Sequence, residues 1–389
     1  MRVLALNPFH GGSHQAFLEG WMRHSQHEFT VLSLPATRWK WRMRHAAFTF
    51  AEEVQQRFQA GERWDALFAT DMLNLAEFLG LARAAASQLP AVLYFHENQL
   101  TYPVQQHDPR DLHFAFTNYV SALAADALWF NTAWHQHTLL EALEQLLRRM
   151  PDRRNPASVK QLREKSAAQS PGIEPGPGCE HRSEERARRL DSSSPLRIVW
   201  AARWEHDKQP ELLFAACRRL KEQRFPFRLT VLGESTGSVP PCFEEARGEF
   251  SGEIDHWGFV ESSAGYRQLL AAGDVIVSTA LHEFFGIAVV EAAAAGCLPV
   301  VPRALAYPEV LGDRWPLFHD GTADGLVVTL KAAAAAVSGA SLSPPDVSRY
   351  FWRNRAAGLD AALSAVVSRR ACGGKQNLPE ISPADGASR

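Results

Sequence analysis

The stretch V-I-V-S-T-A-L-H-E-F-F-G-I-A-V-V-E-A-A-A-A-G-C-L-P-V-V-P, residues 275–302, decides the fold. Its first four residues predict a buried strand, and its middle predicts a helix that starts near Phe285 or Gly286 and stops at Gly296. The segment from Leu298 to Val301 predicts a second strand directly after that helix. A strand, a helix and a strand in immediate succession form the repeating unit of a parallel sheet.

Two acids belong to the helix of this unit. Glu283 stands just before the helix start, and Glu291 lies two turns inside the helix. The free backbone N–H groups of a helix start favour an anion such as phosphate, which a neighbouring acid would repel. We therefore expect Glu283 to face neutral hydroxyls beyond the phosphates. Glu291 would bond the vicinal hydroxyls of a ribose, and the alternative is a solvent-facing helix acid.

Length and composition restrict the class of protein. A chain of 389 residues predicts two domains, and a hydrophobic fraction of 46% is ample for their cores. The net charge of −2 gives no overall attraction for a polyanion, so any such surface must be local. Five scattered cysteines without C-x-x-C spacing indicate neither a disulfide framework nor a zinc site. Because no signal peptide or membrane span is recognisable, we expect a cytoplasmic protein.

Strand and helix patterns alternate along the chain and are interrupted once, between Met150 and Ser194. The alternation predicts an α/β protein with two Rossmann-like domains that face each other across a cleft. One helix is expected from Met72 to Ala86, and one helical piece near Val159 to Ala167 within the interruption. The expected division is a first domain, residues 1–170, a linker, 171–195, a second domain, 196–345, C-terminal crossover helices, 346–370, and a disordered tail, 371–389.

Arg203 and Lys208 follow the first strand of the second domain in the segment R-W-E-H-D-K. A planar guanidinium and an ammonium at the carboxyl end of a strand suit two neighbouring phosphate oxygens. The alternative is a solvated loop with an ion pair among Glu205, Asp207 and Lys208. The phosphate interpretation is favoured because Glu283 follows another strand of the same predicted domain.

A dense polar run, H-E-N-Q-L-T-Y-P, follows the strand from Ala91 to Phe95. Polar residues at the carboxyl edge of a sheet need partners, and His96 with a neighbouring amide would suit sugar hydroxyls or an anionic leaving group. The alternative for His96 is an ordinary buried histidine. The loop F-H-G-G-S-H after the first strand is neither G-x-G-x-x-G nor a P-loop, but Gly11 and Gly12 let its backbone approach a ligand closely.

Basic and aromatic residues alternate in T-R-W-K-W-R-M-R-H, residues 37–45. Basic residues interleaved with tryptophans suit a nucleic-acid backbone with stacked bases, and the alternative is an exposed amphipathic helix. The sequence contains no D-x-D, no H-E-x-x-H and no Cys/His array. We therefore expect no metal, so that Arg203, Lys208 and helix-end amides would neutralise a diphosphate.

Three motifs together resemble the GT-B glycosyltransferases of the GT4-type group. They are the Arg203/Lys208 pair, the Glu-x7-Glu spacing of Glu283 and Glu291, and the turn S-P-G-I-E at residues 170–174. Four segments, F-H-G-G-S-H-Q, M-L-N-L-A-E, Y-F-H-E-N-Q-L-T-Y-P and R-W-E-H-D-K, are similar to the tRNA-queuosine α-mannosyltransferase family. The resemblance implies a GT-B fold whose C-terminal helix packs back on the N-terminal domain.

The same resemblance implies a retaining transfer of mannose from GDP-mannose to queuosine in the anticodon of tRNA-Asp. Its first domain would be the acceptor side and its second the nucleotide-sugar side. The implied catalytic residues are His96, Glu283, Arg203 and Lys208. The implied donor-binding residues are Gly11, Gly12, Ser13, Arg203, Lys208, Gly258, Val260, Glu283, Phe285, Gly286 and Glu291. The implied acceptor-binding residues are Arg38, Lys40, Trp41, Arg42, Arg44, Asn74, Glu97, Asn98 and Tyr102.

Two other functions stay open on the sequence. One is a GT4-type enzyme that acts on a lipid or a cell-envelope saccharide, with the basic segment at residues 37–45 on anionic headgroups. The other is a catalytically silent tRNA-binding protein on a GT-B frame.

Overall fold

Short apolar runs bounded by turn residues form the strands of two parallel sheets, as the alternating pattern predicts. The structure is a computed structural model that describes residues 1–103, 111–176, 194–234 and 239–372. Alternate side chains of the first strand enter different cores: Leu4 and Leu6 pack on one face of the sheet, and Val3 and Ala5 on the other. Helices therefore cover both faces of this sheet.

The first sheet has the strand order β2-β1-β3-β4-β5-β6, and all of its strand pairs are parallel. Its strands are β1 Arg2–His10, β2 Glu28–Pro35, β3 Ala66–Thr70, β4 Ala91–Phe95, β5 Ala127–Phe130 and β6 Ser166–Ala168. Its helices are α1 Gly12–His24, α2 Trp39–Gln59, α3 Leu75–Leu81, α4 Arg83–Ala86, α5 Leu112–Ala124, α6 Ala133–Arg148 and α7 Pro156–Glu164.

The second sheet has the order β12-β11-β10-β7-β8-β9, again with parallel pairs. Its strands are β7 Leu196–Ala201, β8 Phe227–Leu232, β9 Ile254–Gly258, β10 Val275–Val277, β11 Leu298–Pro302 and β12 Phe318–His319. Its helices are α8 Pro210–Glu222, α9 Pro241–Glu249, α10 Ser263–Ala272, α11 Ile287–Ala294, α12 Tyr307–Leu311 and α13 Ala323–Ser338. The opening stretch thus supplies β10, α11 and β11, and β10 lies between β11 and β7.

The last helix, α14 Trp352–Cys372, returns to the first domain, as expected. The Trp352 side chain is 2% exposed and packs so closely on Gly20 and Gly172 that a Cβ at either glycine would lie within 2.3 Å of its ring. The Trp21 Nε1–H of α1 donates to the Asp360 carboxylate of α14 over 2.8 Å. The chain therefore closes by tying its C-terminus to its first helix.

Two expectations about the first domain are wrong. The helix expected from Met72 to Ala86 is two short helices, because Asn74 caps α3 and the chain turns at Ala82 before α4. The helical piece expected near Val159 to Ala167 is present as α7, but Ser166–Ala168 form β6, which completes the first sheet, so the interruption after Met150 is less irregular than expected.

Some expectations lie partly outside the described residues. Residues 177–193 of the expected linker and residues 373–389 of the expected tail lie outside the described residues. The domain limits therefore stay a prediction. Within the described part of the chain, no helix is both long and apolar enough to cross a membrane.

Candidate active site

The loops that follow β4, β7 and β10 meet between the two sheets. The Arg203 guanidinium, after β7, donates to the Tyr102 hydroxyl, after β4, with an N–O distance of 2.9 Å. The Tyr102 ring also stands edge-on to the His282 ring, with 5.0 Å between centroids. The carboxyl ends of parallel strands thus bring polar residues of both domains into one cleft.

Lys208 forms the centre of the C-terminal half of this site. Its Nζ donates to the His282 carbonyl over 2.9 Å and lies 3.1 Å from an Asp207 oxygen and 3.5 Å from a Glu283 oxygen. Burial disfavours the ammonium, but the Glu283 and Asp207 carboxylates outweigh it and raise the pKa of Lys208. Lys208 is therefore a fixed positive charge in the cleft.

Glu283 is held as a carboxylate. Burial alone would raise its pKa, but the Lys208 ammonium and the N–H groups of Gly286 and Phe285 keep the pKa of Glu283 below its ordinary value. Gly286 adopts a φ of +84°, and a Cβ there would lie 2.7 Å from the Tyr307 ring. This position requires glycine, so the turn that precedes α11 is fixed by its sequence.

Glu291 is not the solvent-facing acid of the alternative interpretation. Its carboxylate accepts a hydrogen bond from the Tyr266 hydroxyl over 3.1 Å. Burial raises the pKa of Glu291 to about 7, against the opposing effect of Tyr266. Glu291 therefore changes charge near neutral pH.

His96 lies on the first-domain side of the cleft. Its backbone N–H donates to the Asp71 carboxylate over 3.0 Å, and its ring lies 4.0 Å from the His14 ring. Burial, and then the His14 and His135 imidazoles, hold the pKa of His96 well below its ordinary value. His96 is therefore neutral, and its Nε2 has no hydrogen-bond partner among the described residues.

Asp71 and His14 were not among the predicted site residues. Asp71 is fully buried, and burial, together with the Glu97 carboxylate, raises its pKa well above the ordinary value. Burial, then Arg203 and His10, lowers the pKa of His14 to about 3. Asp71 directly follows β3 and His14 lies in the F-H-G-G-S-H segment, so their positions in the sequence carried a usable signal.

Two residues predicted to bind the acceptor hydrogen-bond the local backbone. The Asn98 side chain is fully buried, and its Oδ1 accepts from the backbone N–H groups of Leu100 and Thr101 over 3.1 and 2.8 Å. Asn74 caps α3 by accepting from the Glu77 N–H over 3.2 Å. Both amides shape the loops that carry the site, and their assignment to acceptor binding stays a prediction. Glu97, half-buried, accepts from the Gln99 amide over 3.3 Å.

The basic segment forms the start of α2, so the helix expected by the alternative interpretation is present. Trp41 is 59% exposed, and Arg38 and Lys40 are exposed as well. Arg42 is half-buried and donates to the Pro35 carbonyl over 2.9 Å, while the Arg44 guanidinium lies over the Phe114 ring. A surface helix and a nucleic-acid surface are both compatible with this geometry.

The predicted donor glycines lie at the start of α1, at the end of β9 and just before α11. Gly11 caps α1, and a Cβ there would lie 2.5 Å from the Ala36 side chain. Gly12, with a φ of +51°, is the first residue of α1, so that Ser13 lies in its first turn. Gly258 ends β9 with a φ of +121°.

The second domain's remaining donor residues are buried or half-buried. Val260 packs against the second domain's core, and Phe285 is 4% exposed against Tyr350. Arg203 contacts Tyr102, Lys208 contacts Glu283, and His282 links the two pairs through its ring and its carbonyl. Gly258, Val260 and Glu291 lie outside this set of contacts.

Within the described ranges, no three His, Cys, Asp or Glu side chains are grouped so that they could hold a metal ion. The expectation of chemistry without a metal stays a prediction.

Comparison with known proteins relates both halves of the chain to one class of enzyme. Residues 2–173 match the family model described as tRNA-queuosine alpha-mannosyltransferase N-terminal, and residues 195–340 match that of glycosyl transferases group 1. A tRNA-queuosine alpha-mannosyltransferase of Drosophila melanogaster is 35% identical over 319 residues, which cover 79% of this chain and 81% of the relative.

Solved structures share the architecture. The catalytic domain of starch synthase IV from Arabidopsis thaliana superposes with a TM-score of 0.66 at 11% identity, covering 96% of this chain and 99% of that one. Sucrose-phosphate synthase from Thermosynechococcus elongatus gives a TM-score of 0.60 at 13% identity, covering 96% and 98%. At these identities the likeness shows the fold alone, and the predicted GT-B fold is confirmed.

Proposed function

Because the chain belongs to the tRNA-queuosine alpha-mannosyltransferase family and is a glycosyltransferase, we propose that it transfers mannose from GDP-mannose to queuosine in tRNA-Asp, with retention at the anomeric carbon. The geometry supports this proposal through one cluster, in which Arg203, Lys208 and Glu283 meet at the carboxyl ends of β7 and β10. Two cations and a carboxylate are what a sugar diphosphate needs: charge neutralisation for the phosphates and an acceptor for sugar hydroxyls.

The donor would lie across the second domain with its diphosphate on Arg203 and Lys208. Glu283, whose lowered pKa keeps it ionised, would accept hydrogen bonds from mannose hydroxyls. The N–H groups of Phe285 and Gly286, which donate to the Glu283 carboxylate in this structure, would turn to the β-phosphate when the donor binds. Glu291 would accept from the ribose hydroxyls. No residue has to ionise for the phosphates to bind, since both cations are charged throughout the physiological range.

In the transfer, the bond from the anomeric carbon to the phosphate oxygen breaks, and its electron pair leaves with GDP. Arg203 and Lys208 stabilise the charge that develops on that oxygen. The acceptor hydroxyl attacks the anomeric carbon from the same face, and its proton passes to the departing phosphate oxygen. Neutral His96, which follows β4 of the first domain, would hydrogen-bond the sugar without adding charge near it.

The acceptor would approach over the first domain. The exposed residues Arg38, Lys40 and Trp41 at the start of α2 offer phosphate contacts and a stacking surface. The helix start packs against Phe114, and the neighbouring Met43 packs against Met72, which directly follows Asp71. An RNA strand that reaches the cleft would therefore pass over this helix.

The test is a transfer assay with purified protein and GDP-mannose. Queuosine-containing tRNA-Asp is expected to gain one hexose by nucleoside mass spectrometry, and queuosine-free tRNA-Asp is expected to gain none. Transfer to a membrane lipid extract instead of tRNA would establish the lipid or saccharide alternative. Tight tRNA binding without any binding of GDP or GDP-mannose would establish the catalytically silent alternative.

A further inference from the structure

The donor loop after β10 is held by the first domain as well as by its own. The Thr132 hydroxyl, at the start of α6, donates to the Phe284 carbonyl over 3.0 Å and accepts from the His135 backbone N–H over 3.1 Å. Phe284 stands between Glu283 and Phe285, the residues assigned to the sugar and the phosphate. A contact from α6 therefore acts on the centre of the loop that binds the donor.

The Phe284 side chain is the larger part of this contact. Its ring stacks on the His135 ring at 3.6 Å between centroids and 18° between planes, and Trp134 lies 5.7 Å away. Phe284 is 5% exposed and His135 is fully buried, so the stack is enclosed where the domains meet. An aromatic pair of this kind contributes about 0.5–1.5 kcal/mol beyond the area that it buries.

The second domain also holds the start of α6 through Glu309. The Glu309 carboxylate accepts from the backbone N–H groups of Ala133 and Trp134, over 2.8 and 2.9 Å. These are N–H groups of the first turn of α6, which have no partner within a helix. The N-terminal end of α6 is thus hydrogen-bonded to the second domain at both Glu309 and Phe284.

His135 also reaches the loop on the acceptor side. Its Nε2 lies 3.4 Å from the Asn98 amide nitrogen, and Asn98 shapes the loop that carries His96. His135 therefore touches one residue from each half of the cleft, Asn98 by a ring nitrogen and Phe284 by a ring face.

We propose that Phe284 and His135 are positioning residues, which give the donor loop its binding geometry only while the two domains are in contact. Donor affinity is then coupled to closure of the cleft: opening breaks the stack and releases the N–H groups of Phe285 and Gly286 from the phosphate-binding arrangement. The identity of the donor rests on the proposed function, whereas the contact itself does not.

The first measurement is amide hydrogen exchange in the free, full-length protein. His135→Ala and Phe284→Leu are expected to speed exchange at Phe285 and Gly286 by about three- to tenfold, because both variants remove the stack. His135→Phe keeps a ring against Phe284 and is expected to exchange there like the wild type. Phe250→Leu is the matched control, because it shortens a buried aromatic of the second domain that packs on Phe214 and Phe227.

The second measurement is the affinity for GDP-mannose. His135→Ala and Phe284→Leu are expected to bind it about three- to tenfold more weakly, with a parallel loss in kcat, while His135→Phe keeps the wild-type affinity. If His135→Ala does not fold, Thr132→Val against Thr132→Ser carries the test, since only the serine variant keeps the hydroxyl that donates to Phe284.

Three outcomes would overturn the proposal: unchanged loop exchange in His135→Ala and Phe284→Leu, an equal effect in His135→Phe, or the same loop effect in Phe250→Leu. The exchange experiment needs no ligand. A wild-type protein that binds no GDP-mannose would therefore refute the proposed donor and leave exchange to decide the positioning role.

Discussion

At the scale of single residues, Lys208 and Glu283 form an ion pair that would bind the proposed donor. The Glu283 carboxylate raises the pKa of Lys208, and the Lys208 ammonium lowers the pKa of Glu283. Both side chains are therefore charged before a ligand binds. Both side chains are largely buried, with 12% and 26% of their surfaces exposed. Removing one partner leaves a buried charge without its counter-ion, which is the costly kind of change.

Lys208→Met and Glu283→Gln are each expected to lower transfer by about 10²–10³-fold, because each removes a charge aimed at the sugar diphosphate. The measurement is initial-rate transfer at saturating donor, with the melting temperature of each variant recorded. The double variant is the control: its melting temperature should fall by less than the sum of the two single losses, although Asp207 still loses its partner Lys208, and it should stay inactive. Near-normal transfer in both single variants would contradict the assignment.

Glu291 makes donor affinity depend on pH. With its pKa raised to about 7, Glu291 is protonated below that pH and accepts fewer hydrogen bonds from ribose hydroxyls. Affinity for GDP-mannose is therefore expected to rise as pH increases through about 7. Titration calorimetry between pH 5.5 and 8.5, roughly one and a half units on either side, measures it. In Glu291→Gln the same pH range should leave the affinity flat, and a wild-type-like rise would contradict the role.

The same group affects stability with the opposite sign. The folded state holds the Glu291 proton more tightly than an unfolded chain, whose glutamates have a pKa near 4.5. Between that value and about 7 the folded state binds more protons, so stability falls as pH rises through this window. Glu291→Gln should remove this contribution, which urea unfolding at pH 4.5 and pH 7.5 would reveal.

Sequence reasoning points to the polar residues of the candidate site because each lies in a segment that follows a strand. Arg203, Lys208 and Glu283 come after β7 and β10, and His96 comes after β4. It missed Asp71, whose carboxylate meets the His96 backbone N–H across 25 positions of sequence. The position of Asp71 directly after β3 is readable from the sequence, but its burial and its hydrogen bond to His96 arise from strand order, which no local pattern encodes.

At the scale of elements, helix α2 joins the fold to the proposed acceptor. Trp39 and Met43 face the protein, while Lys40 and Trp41 face outward. The first acid after this segment is Glu52, so every charged residue in the first turns of α2 is basic. Phosphate contacts of exposed lysines and arginines are expected to depend strongly on salt.

The double variant Lys40→Glu with Arg38→Glu is expected to weaken tRNA binding and to reduce the slope of log affinity against log salt by about 0.7–0.9 for each phosphate that is no longer neutralised. Fluorescence anisotropy between 50 and 200 mM salt, roughly the range in which such contacts weaken most, measures both effects. Lys160→Glu is the matched control, since Lys160 is an exposed lysine of the same domain on α7. An unchanged salt slope would place the RNA elsewhere on the protein.

A helix or strand could be predicted from the sequence where its hydrophobic pattern and its terminal residues indicated the same boundaries. Helix α11 begins after Gly286 and ends next to Gly296, within a residue or two of the prediction. Strand β12 has two residues, Phe318 and His319, which is too short for any periodicity to register. Helix α3 starts later than predicted, because Asn74 and Glu77 cap it and override the apolar run that begins at Met72.

At the scale of the whole molecule, α14 joins the end of the chain to its beginning. The Asp360 carboxylate accepts from the Trp21 indole over 2.8 Å, the Ser25 hydroxyl over 2.6 Å and the Gln26 backbone N–H over 2.9 Å. Three donors on one buried carboxylate make this attachment specific. Since α14 follows the second domain in sequence, it couples the stability of one domain to the position of the other.

Asp360→Ala is expected to destabilise the folded chain by about 1–3 kcal/mol, because it leaves the buried Trp21 donor and its two neighbours without their acceptor. Asp360→Asn should be less destabilised, since its carbonyl oxygen can still accept from Trp21. Urea unfolding followed by tryptophan fluorescence measures both, and Ser368→Ala, an exposed position on the same helix, is the control.

Because α14 bridges the domains, Asp360→Ala should also separate their unfolding into two transitions. A single transition at the wild-type midpoint would show that α14 packs on the first domain without stabilising it.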